Sequence, residues 1–211
     1  MRRFILYIAF SVVAVVSFCQ CKDNSADCLG GHKFVDLGLS VMWADCNVGA
    51  DKATDFGNWY AWGETKSKEW DDWHSYLVDK GGDIKAYTDC GTDKDPMKSY
   101  VAPTASSIAD SKFDAAATHW GAGWRMPTKL EFDELIEKCS FEWKEVDGVR
   151  GGLVTGPNGN SIFLPAGHDR DKSSMGYDWP YCYYWTSTPH AEKSYCAWYF
   201  YFNYKHKQNM N

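Results

Sequence analysis

Residues 127–165 read PTKLEFDELIEKCSFEWKEVDGVRGGLVTGPNGNSIFLP, and the fold class turns on how that stretch divides. After Pro127, Thr128 has the side-chain oxygen to cap a helix, and Glu131, three residues on, reaches back to complete a capping box. Phe132, Leu135, Ile136 and Cys139 fall at i, i+3, i+4 and i+7 and form one apolar stripe. Glu131, Asp133, Glu134, Glu137 and Lys138 lie off it and make a solvated face. Two hairpins are expected next. Residues 141–146 and 149–155 flank Asp147-Gly148, a pair whose tolerance of left-handed backbone suits a two-residue turn. Asn158-Gly159 then turns the chain into residues 161–165.

Upstream of this stretch, residues 34–37 and 41–48 read as strands broken by Gly38, and residues 59–62 as a third short strand. Residues 63–111 keep neither a helical nor a strand period; Gly81, Gly82, Asp83, Asp89, Gly91, Asp93, Asp95 and Pro96 make them a long irregular segment. Downstream, a Gly- and Asp-rich loop at 167–179 leads to an aromatic strand pair, residues 182–187 and 195–203. Strands, an irregular region, one strong helix and then a run of strands predict an α+β fold rather than a parallel α/β sheet.

The chain has 211 residues, the length of one ordinary domain or two small ones. Aromatic residues are 17% of it, which excludes a disordered polymer. The net charge of −6, with no basic run, argues against nucleic-acid binding, which needs clustered Lys and Arg. Arg2 and Arg3 precede an apolar run at residues 4–18, after which the chain turns polar at Lys22-Asp23-Asn24-Ser25. That is signal-peptide grammar, and the run is too short to span a bilayer comfortably; the other reading is a buried core helix. Cys19 and Cys21 sit where a bacterial lipoprotein carries its lipidated cysteine, although Phe18 and Gln20 replace the small residue expected before it. Lipidation at Cys21 leaves Cys28, Cys46, Cys90, Cys139, Cys182 and Cys196, an even set able to pair outside the cytoplasm. The expected division is a leader at 1–21, a tether at 22–32 and one domain at 33–211, in a protein that is exported and outer-membrane-anchored, facing the cell surface or the periplasm. A secreted protein without lipid is the alternative.

Several segments together carry a resemblance. They are Phe34-Val-Asp-Leu-Gly-Leu, Trp43-Ala-Asp-Cys-Asn-Val-Gly-Ala, Tyr60-Ala-Trp-Gly-Glu-Thr, Trp120-Gly-Ala-Gly-Trp-Arg-Met-Pro-Thr, Gly156-Pro-Asn-Gly-Asn-Ser-Ile-Phe-Leu-Pro-Ala and Tyr183-Tyr-Trp-Thr-Ser. In this order, with the helix at Glu131, the chain resembles the Fibrobacter succinogenes major paralogous domain family of bacterial surface lipoproteins, from about residue 33 to 202. The resemblance implies a C-type-lectin-like fold: a single α+β domain with short antiparallel strands, one strong helix and long loops. It also implies that Trp43, Trp62, Trp120, Trp124 and Trp185 belong to a buried framework. Domains of this kind usually finish with a strand resembling Gly-x-Ser-Val-Arg. At the corresponding place this sequence reads Lys207-Gln-Asn-Met-Asn, so the final strand is expected to be absent or diverged and a neighbouring strand edge to be open.

No chemistry-bearing constellation stands out. There is no Cys-x-x-Cys and no His-Glu-x-x-His, so no metal is expected. Asp89, Asp93 and Asp95 lack the register of a calcium loop, and Asp171 and Asp178 add nothing sharper. The sugar-binding tripeptides of calcium-dependent lectins are missing. Cys182 and Cys196 lie where enzymes of this fold carry reactive cysteines, without a catalytic spacing. No catalytic residue and no cofactor are expected.

The aromatic carboxyl-terminal region is the candidate site. In the last strand Trp198, Phe200 and Phe202 share one parity, and Tyr199, Tyr201 and Asn203 the other. The apolar set should face inward and the tyrosines outward. The expected ligand-binding residues are Trp179, Tyr181, Tyr184, Tyr195, Tyr199, Tyr201, Asn203 and Tyr204, with Tyr183 and His206 nearby. Rigid amphipathic rings offer contact area at low entropy cost. The expected function is therefore a surface-exposed, non-enzymatic binding or adhesion-type lipoprotein whose partner is a protein or glycan and whose membrane contact is a lipid anchor. The alternatives are an enzyme related to sulfatase-modifying, formylglycine-generating proteins, and a structural or fimbria-associated lipoprotein with no discrete ligand. A tail diversified by adenine-directed mutagenesis is a further hypothesis.

Overall fold

The helix predicted after Pro127 forms as α2 (Lys129–Lys138), in a computed structural model that describes residues 10–16, 28–67, 107–166, 182–191, 197–205 and 207–210. Thr128 takes extended backbone angles and accepts the Glu131 N–H, while the Glu131 carboxylate accepts the Thr128 N–H at 2.7 Å. Arg125 then clamps Glu131 in a two-pronged pair, at 2.9 and 2.5 Å, with both side chains nearly buried. One glutamate thus closes the cap and fixes the incoming chain. Phe132 and Leu135 are fully buried, Cys139 is buried and Ile136 packs against the core.

The hairpins also stand where expected. Strands β8 (Ser140–Val146) and β9 (Val149–Thr155) meet around Asp147 and Gly148, whose φ angles of 50° and 78° both lie in the left-handed region. That backbone matches the twist of the flanking strands. Gly159, at φ 89°, turns the chain into β10 (Ser161–Pro165), and β10-β9-β8 form a three-stranded antiparallel sheet. Gly156 has no room for a Cβ, which would collide with the Leu37 carbonyl oxygen. The second hairpin is thereby pressed onto the amino-terminal strands.

Those strands are β3 (Cys28–Leu29), β4 (His32–Val35), β5 (Met42–Asn47) and β6 (Trp59–Tyr60). A six-residue helix α1 (Ala115–Trp120), capped by Asp114, and the short β7 (Trp124–Arg125) precede α2. At the carboxyl end lie β11 (Cys182–Pro189), β12 (Ala197–Phe202) and β13 (Lys207–Met210). The architecture is mostly antiparallel β-sheet with two helices among the described residues. Of the framework tryptophans, Trp43, Trp120 and Trp124 are buried, whereas Trp62 and Trp185 are partly buried at its edge.

One segment departs from the sequence reading. Residues 10–16, expected inside a leader, form β1 (Phe10–Ser11) and β2 (Val13–Val16). Strand β1 lies between β11 and β6, in the order β13-β12-β11-β1-β6; β2 lies between β5 and β7, in the order β3-β4-β5-β2-β7. Val12, the link between them, takes the Val48 N–H on its carbonyl at 2.9 Å. Val12, Val13, Ala14 and Val15 are no more than 1% exposed. Each valine so buried contributes about 1.5 kcal/mol or more. An unbroken apolar run suits the core of a leader and equally a strand covered on both faces, because neither shows alternation. Cys19 and Cys21 lie outside the described residues, as do residues 68–106 and 167–181.

Candidate functional site

Strand β12 alternates as its parity requires. Phe200 and Phe202 are buried, Phe200 stacking on Phe132 of α2 at 4.8 Å, while Tyr199 and Tyr201 are half-buried on the opposite face. The antiparallel register with β11 sets Tyr183 opposite Tyr201 and Trp185 opposite Tyr199. Their rings form one contiguous patch: Tyr183 lies 5.2 Å from Tyr201 and 5.9 Å from Tyr199, and Trp185 meets Tyr199 edge-on at 6.1 Å. Trp185 is held in place by its indole N–H, which donates to the Tyr60 carbonyl at 3.0 Å.

Asn203 extends this face past the end of the strand. Its amide donates to the Tyr201 hydroxyl at 2.6 Å, and its carbonyl oxygen accepts the Lys205 N–H at 2.7 Å. Tyr204 is exposed, and the Lys205 ammonium sits 5.0 Å over its ring. Asn203 also lines a cleft of about 190 Å³ bounded by Phe141, Glu142, Trp143, Gly152, Phe202, Tyr204 and Lys205. Gly152 has a particular role there, since a Cβ at that position would strike the Phe202 ring. Ligand pockets for whole small molecules run to roughly 300–1,000 Å³, so this cleft fits one side chain or one sugar ring rather than a cofactor.

Tyr184 is a correction. It was expected at the surface, yet it is fully buried: its hydroxyl donates to the Pro165 carbonyl at 3.1 Å and accepts from Asn47, and burial pushes its phenol well up. The reason is register, for Tyr184 pairs with the inward Phe200 and Tyr183 with the outward Tyr201. Tyr183 takes the place foreseen for Tyr184. Trp198 shares the parity of Phe200 but is only half-buried; it stacks on His190 at 5.5 Å and lies beneath the Lys129 ammonium at 4.8 Å. Trp179, Tyr181, Tyr195, Cys196 and His206 lie outside the described residues. The sequence reading also missed Trp143, which shares the inward parity of Phe141 and packs against the buried Phe202, and its exposed neighbour Glu142 on the opposite parity of β8.

The thiols near this site are not poised to react. Cys182 is completely buried, its sulfhydryl facing the Leu164 carbonyl, and burial drives its pKa well up. Burial, reinforced by Asp45, raises Cys46 to about 12. A nucleophile must be thiolate and reachable, and neither condition holds at these two positions. Among the described residues, no group of three His, Cys, Asp or Glu side chains is placed to hold a metal ion. The acids Asp89, Asp93, Asp95, Asp171 and Asp178 lie outside them. No helix of the described residues is long and apolar enough to cross a membrane. Comparison with protein-family models, curated proteins and solved structures returned no match to this chain.

Proposed function

We propose that this chain is an exported, surface-anchored binding domain of C-type-lectin-like fold, similar to the Fibrobacter paralogous lipoproteins. In this reading it holds a protein or glycan against the outer face of β11 and β12. The observation that carries the reading is the continuity between patch and cleft. Tyr183, Tyr199, Tyr201 and Trp185 make a half-exposed aromatic platform, and Asn203 joins it to a recess with carboxylate, ammonium and amide groups at its rim. Flat rings supply contact area with few rotamers to freeze, and the cleft takes one anchoring group. Lipidation at Cys21 fixes the domain to the outer membrane and leaves the platform facing outward.

Glycan-array and protein-library binding by the full chain tests this, with Tyr199→Ala and Tyr201→Ala as variants. Saturable binding that either substitution weakens by at least about tenfold is expected, the size of a rigid ring lost from a contact centre. Binding that neither variant alters moves the site elsewhere. An absence of any ligand favours the structural or fimbria-associated alternative. The enzyme alternative gains nothing from Cys182, which is shut from solvent.

A further inference from the structure

We propose that the cleft beside β12 is a calcium-independent subsite for one neutral hexopyranose unit of a glycan. The inference deepens the binding-domain reading and rests on it, naming the chemical class of the group that anchors the ligand. The cleft owes its room to Gly152, which pairs with Trp143 across the β8–β9 ladder and has no side chain. The Phe202 ring lies over that glycine, and Trp143 meets it edge-on at 6.0 Å. Strand β8 is the edge of its sheet, so the recess reaches Phe141 and Trp143 on one face and Glu142 on the other. Asn203 fixes the mouth, since its side-chain oxygen accepts the Lys205 N–H at 2.7 Å and holds the turn that carries Tyr204 and Lys205.

The charges at the rim select among occupants. Among the described residues, the Glu142 carboxylate makes no hydrogen bond or ion pair and the Trp143 indole N–H makes no hydrogen bond, whereas the indoles of Trp62, Trp124 and Trp185 all donate. An acidic group entering the cleft is drawn to Lys205 and repelled by Glu142; a basic group meets the reverse. An apolar side chain strips water from both and returns no hydrogen bond. A hexopyranose answers them together. Its hydroxyls donate to the carboxylate and accept from the ammonium and the indole, and its slightly positive C–H face suits the negative face of an aromatic ring. Hydrogen bonds to ionised groups are the stronger kind, which matters for a ligand with few contacts.

The test is saturation-transfer NMR and calorimetry on the full chain with the methyl glycosides of glucose, galactose, mannose and N-acetylglucosamine, with and without EDTA. At least one is expected to bind with a Kd of about 1 mM, the scale for a ligand of this size. Glu142→Gln and Lys205→Met should each weaken that binding about tenfold without moving the thermal midpoint, because both side chains are exposed. At low salt the methyl glycosides of glucuronic acid and glucosamine should bind several-fold more weakly than the neutral sugar. Binding that neither variant weakens, or that EDTA abolishes, places the sugar elsewhere and overturns the subsite. Failure of every neutral glycoside to bind also overturns it, while the platform reading stands if a larger ligand still depends on Tyr199 and Tyr201. Sugar binding that needs Glu142 and Lys205, with every array ligand indifferent to Tyr199→Ala and Tyr201→Ala, upholds the subsite and overturns the platform.

Discussion

The block from Pro127 to Pro165 and the sheet that brings residue 11 beside residue 184 are stabilised by different kinds of information. In the first, cap, helix, turn and hairpin partners lie within a few residues of one another, and each local preference agrees with the final geometry. In the second, Ser11 pairs with Tyr184 and Val15 with Trp43 and Arg125, so the sheet exists only when distant parts of the chain meet. Damage to the first kind of region should therefore stay local. Damage to the second should be global.

The largest expected effect follows from that contrast. In the unprocessed chain, which retains residues 10–16, Val15→Asp places a carboxylate at a fully buried position of β2, the strand that lies between β5 and β7. It should cost about 4 kcal/mol or more, a large share of the ~5–15 kcal/mol that holds a domain together. Guanidinium unfolding at neutral pH should show a lowered midpoint for the whole molecule. A separate early transition confined to one sheet would mean that residues 10–16 do not couple the two sheets.

Thr128→Ala probes the local region. It removes the oxygen that accepts the Glu131 N–H at 3.3 Å, while Arg125 still holds Glu131. A loss of about 1 kcal/mol is expected, with the cooperative transition intact. A loss as large as that of Val15→Asp would erase the distinction between the two regions.

The smallest effect concerns His32, which stacks on Trp120 at 4.2 Å and meets Trp124 edge-on. Burial lowers its pKa below the ordinary 6.5, and Asp45 only partly opposes this. Above 6.5 the folded and unfolded chains are both neutral there. As the pH falls through 6.5 the unfolded chain takes up a proton first, so stability declines and then levels off below the folded pKa. Urea midpoints at pH 7.5, 6.5 and 5.5 should drift downward in wild type, and the part due to this group should vanish in His32→Asn. An unchanged drift would assign it to other groups.

How far the site could be read beforehand differs between its two strands. In β12 the alternation of Phe200 and Phe202 with Tyr199 and Tyr201 carries polarity contrast, so the faces follow from the residues. In β11 the neighbours Tyr183 and Tyr184 are chemically identical, and nothing in Cys182-Tyr-Tyr-Trp says which ring turns in. Pairing with Phe200 decides it. Helix α1 did leave a signal, Asp114 before three alanines and Gly121 after Trp120, and the Asp114 carboxylate does cap it. Strand β13 left none, being short and polar.

What the residues determined alone is whatever a few neighbours settle: the Thr128–Glu131 cap, the Asp147-Gly148 and Asn158-Gly159 turns, the apolar stripe of α2 and the inward parity of Phe200 and Phe202. Those features depend on backbone sterics and on period, which act over one or two turns of chain. Only the tertiary structure decided that Val12 to Val15 link two sheets, that Tyr184 lies inside and Tyr183 outside, and that Trp143 meets Asn203 across a cleft. Each is a choice of partner between segments distant in sequence. An apolar run or a pair of like rings is compatible with several partners until packing selects one.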